Sequence, residues 1–138
     1  VIENMIYQMN NGKSPIKLGD PTPIRDFVFE PDLLAAYQLA TESHNKKIIG
    51  ESINIGTGKS ISIKQLAEKI RKITGYKGKI KWNSFPKRAL EIPKLEVDNL
   101  KAKKLLKWKP KHTLDQGLKI TASYYILLVP FTHSVPRE

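Results

Sequence analysis

A glycine-rich turn followed by lysine and serine is the stretch of this sequence most typical of phosphate chemistry. Gly56 to Ser60 has the sequence GTGKS, which is similar to the end of a nucleotide-binding phosphate loop. The full pattern is G-x-x-x-x-G-K-[ST], in which the first glycine lets backbone amides wrap the phosphates and the Lys-Ser pair opens a helix. Here Ile53 occupies the first glycine position, and the helix signals begin only at Ser62. We therefore predict that Lys59 is a surface residue and that the glycines form a structural turn.

The other groups that could do chemistry show no catalytic or metal-binding spacing. The three histidines are scattered, and the absence of cysteine excludes thiolate metal sites and disulfides. Asp26 and Asp32 could suggest paired carboxylates, but a strand end and a helix N-terminus are a simpler explanation. Trp82 and Trp108 could stack on a ligand, yet the residues around them favour packing in a core.

The net charge of +11, from 24 Lys and Arg against 13 Asp and Glu, indicates contact with anions. A basic nucleic-acid-binding module is therefore an open alternative, resting on the charge and on the lysine-rich stretch Lys101 to Lys109. Only four of the 24 basic residues are arginine, however, whereas recognition of bases and phosphates generally favours the planar guanidinium. A solvated lysine-rich surface or a small anionic ligand fits the charge as well, and we do not expect a nucleic-acid partner.

The helix after the GTGKS turn has the clearest signals of any element. Ser62 and Gln65 form an S-x-x-Q capping box, Ile61 and Leu66 occupy the positions of a hydrophobic staple, and Gly75 ends the pattern. These residues predict a helix from Ser62 to Gly75.

The remaining elements are shorter and follow from apolar spacing and turn residues. We expect a helix over 1–11, strands at 15–19 and 25–29, a helix over 31–43, a strand at 52–55, strands at 79–82 and 94–97, a basic helix over 98–106 and a last helix after a second capping box at Thr113 and Gln116. The stretch from Pro130 is expected to be irregular.

Length and composition are those of one folded domain. The chain has 138 residues, of which 40% are hydrophobic and 27% charged, so there is material for a core and no case for wholesale disorder. No apolar run approaches the roughly 20 residues that a membrane-spanning helix needs. The first residues show no signal segment. We expect a soluble, cytoplasmic protein with no membrane partner.

Four stretches follow one another in the order and at the spacing of a known pattern. These are Leu18-Gly19-Asp20 with Ile24 to Phe29, the stretch INIGTGKSISIKQLAE, Phe85-Pro86-Lys87-Arg88 with Pro93 and Asp98, and Lys101 to Pro110 with Thr113 to Leu118. Together they resemble the C-terminal portion of the extended short-chain dehydrogenase/reductase family, the NAD-dependent nucleotide-sugar epimerases and dehydratases that include UDP-glucose 4-epimerase. Three places depart from the family's patterns: Glu30-Pro31 replaces Val-Asp, Ala89-Leu90-Glu91 replaces Pro-Gly-Asp, and Lys107 replaces a glycine.

The resemblance implies the site residues. Arg25 and Arg88 match the two family arginines that clamp the nucleotide diphosphate, a role that suits guanidinium forks because they form charge-assisted hydrogen bonds with phosphate oxygens. Leu18 matches a position where the family has an aromatic or apolar residue against the base, although a plain core role explains it equally well. No catalytic, cofactor-binding or metal-binding residue is implied within this chain.

The resemblance also implies the fold and the partners. We expect an α/β fold with a small mixed sheet and about five helices, in which residues 1–129 are the nucleotide-sugar-binding C-terminal portion, the tail 130–138 is irregular, and the Rossmann half is absent. The complete enzyme would use NAD or NADP, with none held by this chain alone, because neither the family's G-x-x-G-x-x-G nor its Tyr-x-x-x-Lys pair is present.

The expected partners are a UDP-, dTDP-, GDP- or CDP-linked sugar, the missing Rossmann half and, as one possible assembly, a second copy of the chain. The segment from Arg25 to Ile55 is expected to pack partly against the cofactor half. A non-catalytic relic kept for interaction is a third alternative to the enzyme part and the nucleic-acid-binding module.

Overall fold

The computed structural model describes residues 1–87 and 89–128, so that Arg88 and the predicted tail lie outside the described residues. The helices are α1 (Ile2–Asn10), α2 (Glu30–Thr41), α3 (Ile63–Thr74), α4 (Leu114–Leu128) and a π-helical segment (Ala102–Leu106), with a 3₁₀ turn at Lys46–Ile48. The strands are β1 (Ile16–Lys17), β2 (Ile24–Asp26), β3 (Ser60–Ser62), β4 (Ile80–Lys81) and β5 (Lys94–Leu95). The prediction of an α/β fold with small sheets and about five helices is confirmed.

The strands form two small sheets. In one, β1 pairs in parallel with β4. In the other, β2 lies between β3, which is antiparallel to it, and β5, which is parallel to it. Arg25 is opposite Ile61 on one side and Leu95 on the other, so the sheet places this arginine on its central strand.

The main core lies where α1, α3 and α4 pack together. Each helix contributes apolar residues at three- and four-residue intervals, the spacing that puts them on one face. The buried members include Met5, Ile6, Leu66, Ala67, Ile70 and Leu118. A second cluster joins α2 to the π-helical segment and contains Ala36, Ala102, Leu106 and Trp108. Trp108 is therefore a core residue, as predicted. Within the described residues, no helix has the length and apolarity needed to cross a bilayer.

The predicted ends of α3 are confirmed. The Ser62 hydroxyl accepts a hydrogen bond from the Gln65 amide at 3.1 Å, and the Gln65 side chain accepts one from the Ser62 amide at 2.9 Å. Gly75 ends the helix with a φ of 68°, a left-handed conformation that glycine adopts without strain.

The predicted strand at 52–55 is wrong, because these residues have no strand pairing and the strand before α3 is β3. Ile53 and Ile55 instead pack against the second cluster. Their β-branched pattern reflects side-chain burial and not a hydrogen-bonded ladder. Immediately afterwards, the chain passes close to Val97: a Cβ on Gly56 would lie 2.5 Å from the Cβ of Val97.

Asp32 lies in the first turn of α2 and connects that helix by hydrogen bonds to the segment before α4. Its carboxylate, in a residue only 2% exposed, accepts hydrogen bonds from the amides of Lys111 at 3.1 Å and His112 at 2.9 Å and contacts His112 Nδ1 at 2.9 Å. Burial raises the pKa of Asp32, but the hydrogen bonds from His112 and Lys111 outweigh it and leave the pKa below its usual value. The position of Asp32 at a helix N-terminus was predicted from the sequence. Its contact with His112, 80 positions along the chain, was not predicted.

Candidate functional site

A cleft of about 870 Å³ lies beside the three-stranded sheet. One wall comes from the segment between β1 and β2, another from the loop between β4 and β5, and the start of α1 closes one side. Each of the two connecting segments runs between strands of the sheets. The main-chain hydrogen bonds of those strands therefore position the two walls.

Arg25, on β2, is one of the residues that line this cleft. Its Nη1 donates a hydrogen bond to the carbonyl of Ile24 at 2.7 Å, and its Nη2 donates to the carboxylate of Glu91. The side chain is 20% exposed. The arginine predicted to bind a diphosphate therefore lines the cleft, with part of its hydrogen-bonding capacity turned toward a carboxylate of the same chain.

Leu18 lines the same cleft and also belongs to the main core, with 6% of its surface exposed. The position of Leu18 is therefore compatible both with packing in the core and with contact to a ligand in the cleft. Its contact with a nucleotide base stays a prediction.

A second ion pair joins two residues that line the cleft, Lys87 and Asp20. Lys87 Nζ lies 3.2 Å from Asp20 Oδ2. Asp20 also accepts hydrogen bonds from the Thr22 hydroxyl at 2.7 Å and the Thr22 amide at 2.9 Å. The Thr22 hydroxyl, the Thr22 amide and then Lys87 lower the pKa of Asp20 to about 2, so this carboxylate is charged over the whole physiological range. Arg88 itself is outside the described residues, and its role stays a prediction.

The GTGKS turn binds the carboxylate of Asp26 through its backbone amides. The amides of Thr57 and Gly58 donate to the two oxygens of Asp26 at 3.1 and 2.8 Å, and the Thr57 hydroxyl also donates to it. Lys59 is exposed, as expected. Because Asp26 occupies the donors that a phosphate would need, the turn does not fit the pyrophosphate of a dinucleotide or of ATP.

Two contacts of cleft residues were not predicted from the sequence. Glu91, 66 positions from Arg25, is the partner of that guanidinium, and Asp26 is the anchor of the glycine turn. The only sequence signal for Glu91 was its place where the family pattern has an aspartate. Among the residues that the structure describes, no group of three or more His, Asp and Glu side chains could hold a metal ion.

Comparison with known proteins shows matches along most of the chain. The family model described as GDP-mannose 4,6 dehydratase matches residues 1–121. A UDP-glucuronate 4-epimerase of Thermodesulfobacterium geofontis is 35% identical over 114 residues, which cover 81% of this chain and 33% of the relative. A protein of Oryza sativa subsp. japonica named probable GDP-L-fucose synthase 1 is 29% identical, with 85% of this chain and 34% of the relative covered. The chain spans about a third of the length of the curated relatives it matches.

Solved structures agree with these relatives. The UDP-glucose 4-epimerase of Thermotoga maritima, solved with UDP-glucose, is 32% identical and superimposes with a TM-score of 0.80 over 91% of this chain and 38% of its own. The UDP-glucuronic acid 4-epimerase of Bacillus cereus, solved with UDP-glucuronic acid and NAD, is 32% identical with a TM-score of 0.77 over 89% of this chain and 38% of its own. The chain therefore belongs to the family of NAD-dependent nucleotide-sugar epimerases and dehydratases and corresponds to the C-terminal portion of its members.

Proposed function

We propose that this chain is the substrate-binding part of an NAD- or NADP-dependent nucleotide-sugar epimerase or dehydratase and that its cleft holds the nucleotide diphosphate. The observation that carries the proposal is the position of Arg25, which lines a cleft of about 870 Å³. That volume suits a small-molecule ligand, since such pockets span about 300–1,000 Å³.

The chemistry of the cleft supports an anionic ligand with an apolar end. A guanidinium fork binds phosphate oxygens through charge-assisted hydrogen bonds, and Arg88 is the proposed second arm. Leu18 and Phe85 line the same cleft and supply apolar surface for a base or sugar face. The relatives' substrates, UDP- and GDP-linked sugars among them, are the ligand class we propose for this chain.

In this proposal, the cofactor and the reacting groups belong to the other part of the family fold. NAD or NADP would supply hydride transfer there, while the residues of this chain bind and orient the substrate. Exposed apolar residues on α2, namely Leu34, Tyr37 and Leu39, are proposed to lie against that part. A homodimer is the further assembly that we propose to test by sedimentation.

Titration calorimetry of the chain with UDP, GDP and dTDP tests the proposal. Arg25→Ala is expected to weaken binding about 10- to 150-fold, because hydrogen bonds to charged groups contribute about 1.5–3 kcal/mol. Lys59→Ala is the matched control: Lys59 is exposed and outside the cleft, so its loss should leave the affinity unchanged. Equal binding by both variants would refute the role of Arg25.

A salt series separates this proposal from a nucleic-acid-binding module. A polyanion that neutralises many lysines should lose affinity steeply as salt rises, whereas a two-arginine diphosphate site should lose it mildly. Tight, strongly salt-dependent binding of single-stranded or duplex DNA, with no binding of the nucleoside diphosphates, would replace the enzyme proposal by the nucleic-acid one.

A further inference from the structure

Two lysine-rich segments that are far apart in the sequence lie side by side, and neither lines the cleft. The first contains the 3₁₀ turn after α2, and the second contains the π-helical segment. Asn45 Nδ2 donates a hydrogen bond to the carbonyl of Leu105 at 3.2 Å, and Lys101 Nζ lies 2.7 Å from Glu51 Oε2. Ile48 packs against the second core cluster, to which the π-helical segment belongs. The two segments therefore form one continuous surface.

This surface carries an excess of positive charge. Residues 46–51 and 100–107 contain a single acidic residue, Glu51, which is already paired with Lys101. We call the surface of these two segments the lysine patch; its exposed cationic residues are Lys46, Lys47, Lys101, Lys103, Lys104 and Lys107. Since neither segment holds a further carboxylate to balance them, the lysine patch attracts a partner with many negative charges.

Two large apolar side chains are exposed within the lysine patch. Ile49 is 77% exposed and Leu100 is 66% exposed. Leu100 precedes Lys101 directly and Ile49 precedes Glu51 by two positions, so the ion pair between Lys101 and Glu51 holds their main chains close together. A fully hydrated polyanion gives such side chains no reason to leave water. A partner that also offers an apolar layer does.

Three classes of anionic partner differ in how well they fit this combination. Binding of nucleic acid favours arginine and exposed aromatic rings, and the lysine patch contains neither arginine nor Phe, Tyr or Trp. The centre of a protein interface, including one with the other part of the family fold, is depleted of lysine because charged groups lose their water there. An anionic bilayer offers phosphate charges at its surface and hydrocarbon directly beneath them.

We propose that the lysine patch attaches the chain to the surface of an anionic phospholipid bilayer, with Ile49 and Leu100 inserted beneath the headgroups and the surrounding lysines on the phosphates. This attachment needs no helix that crosses the bilayer, because apolar insertion and attraction of a polybasic surface together hold a protein on the membrane. The proposal does not depend on what the cleft binds.

Cosedimentation with vesicles tests the proposal on the 138-residue chain. One set of vesicles contains phosphatidylcholine alone, and the other contains equal parts of phosphatidylcholine and phosphatidylserine. The chain is expected to bind the mixed vesicles and not the neutral ones, and binding should weaken as salt rises because salt screens the lysines.

A triple variant removes charge from both segments of the lysine patch. Lys47→Gln, Lys103→Gln and Lys104→Gln together should weaken binding to the mixed vesicles about 100-fold, since each lysine close to an anionic surface contributes about fivefold. Glutamine keeps a similar helix propensity, so the fold should be retained.

The matched control removes the same charge elsewhere. Lys64→Gln, Lys72→Gln and Lys77→Gln lie at exposed positions outside the lysine patch. Their combined loss should weaken binding by about fivefold or less, because charges more than a Debye length from the bilayer are screened.

A second pair of variants tests the insertion of apolar side chains. Ile49→Ser should weaken binding to the mixed vesicles about tenfold, because the apolar surface that it would bury is lost. Ile120→Ser is its control: Ile120 is an exposed apolar residue of α4, outside the lysine patch, and its replacement should leave vesicle binding unchanged.

The outcomes decide between the partners. Equal losses in the two triple variants would show that net charge alone drives adsorption and would overturn the proposal, as would a failure of the unsubstituted chain to bind mixed vesicles. If the patch lysines matter but Ile49→Ser binds normally, nothing is inserted and the lipid assignment is wrong. Duplex DNA, titrated in parallel, replaces the bilayer as partner if it binds more tightly than the vesicles and depends on the same lysines. UDP titration of each variant should match that of the original chain, so failure of the diphosphate site leaves this proposal standing. Circular dichroism checks that each variant is folded.

Discussion

The buried carboxylate of Asp32 joins α2 to the segment before α4. It accepts hydrogen bonds from the amides of Lys111 and His112 and contacts the His112 ring, and the carbonyl of Asp32 accepts one from Trp108 Nε1 at 2.9 Å. Asp32→Ala removes the first three and leaves two amides without their acceptor. Because such contributions are not additive, we expect a loss of about 3–5 kcal/mol in the free energy of unfolding. That is a large part of the roughly 5–15 kcal/mol that stabilises a domain.

Urea unfolding followed by tryptophan fluorescence measures this loss directly, since the buried Trp108 donates to Asp32 itself. Asp115→Ala is the matched control. Asp115 forms an exposed ion pair with Lys69 at 2.7 Å, so its removal should change the free energy of unfolding by about 1 kcal/mol or less. If the two variants lose similar amounts, the stabilising role assigned to the Asp32 contacts is refuted.

The same residue predicts a pH dependence with a definite sign. The folded state holds the pKa of Asp32 below its ordinary value, so its ionised form stabilises the fold at any pH above the unfolded pKa of about 3.9. This stabilisation is lost as the pH falls through the lowered folded pKa. The difference in unfolding free energy between the original chain and Asp32→Asn should therefore be constant at neutral pH and should shrink in acid below about pH 4. A difference that grows on acidification would contradict the assignment.

Two further predictions concern backbone positions. Gly56→Ala should destabilise the chain by about 1–3 kcal/mol, because the new Cβ would overlap Val97, while Gly19→Ala, with no atom within 4 Å of its Cβ, should be nearly neutral in the same urea assay. Lys107, at a φ of 56°, adopts a left-handed conformation that suits glycine, so Lys107→Gly should stabilise the chain by about 0.5–1 kcal/mol. Lys104→Gly, within the π-helical segment, should destabilise it by about 1 kcal/mol. A lower midpoint for Lys107→Gly than for the original chain would show that the backbone strain there is negligible.

The sequence by itself determined the elements whose signals are local and the family to which the chain belongs. The capping box at Ser62 and Gln65 joins residues three positions apart, so the start of α3 could be predicted without any tertiary information. The motif around Arg25 placed this residue in the family pattern. The structure shows that Lys107, which replaces a glycine of that pattern, has a left-handed backbone.

Only the tertiary structure decided the partners of the charged groups and the pairing of the strands. Asp26 reaches the glycine turn across 32 positions, and Glu91 reaches Arg25 across 66. The segment 52–55 was predicted to be a strand because its isoleucines are β-branched. Such side chains are favoured in a half-buried β-strand, but they can equally be buried against a helix without any strand pairing. Contacts between distant segments depend on how the whole chain packs. A local sequence pattern therefore does not predict which carboxylate pairs with which guanidinium.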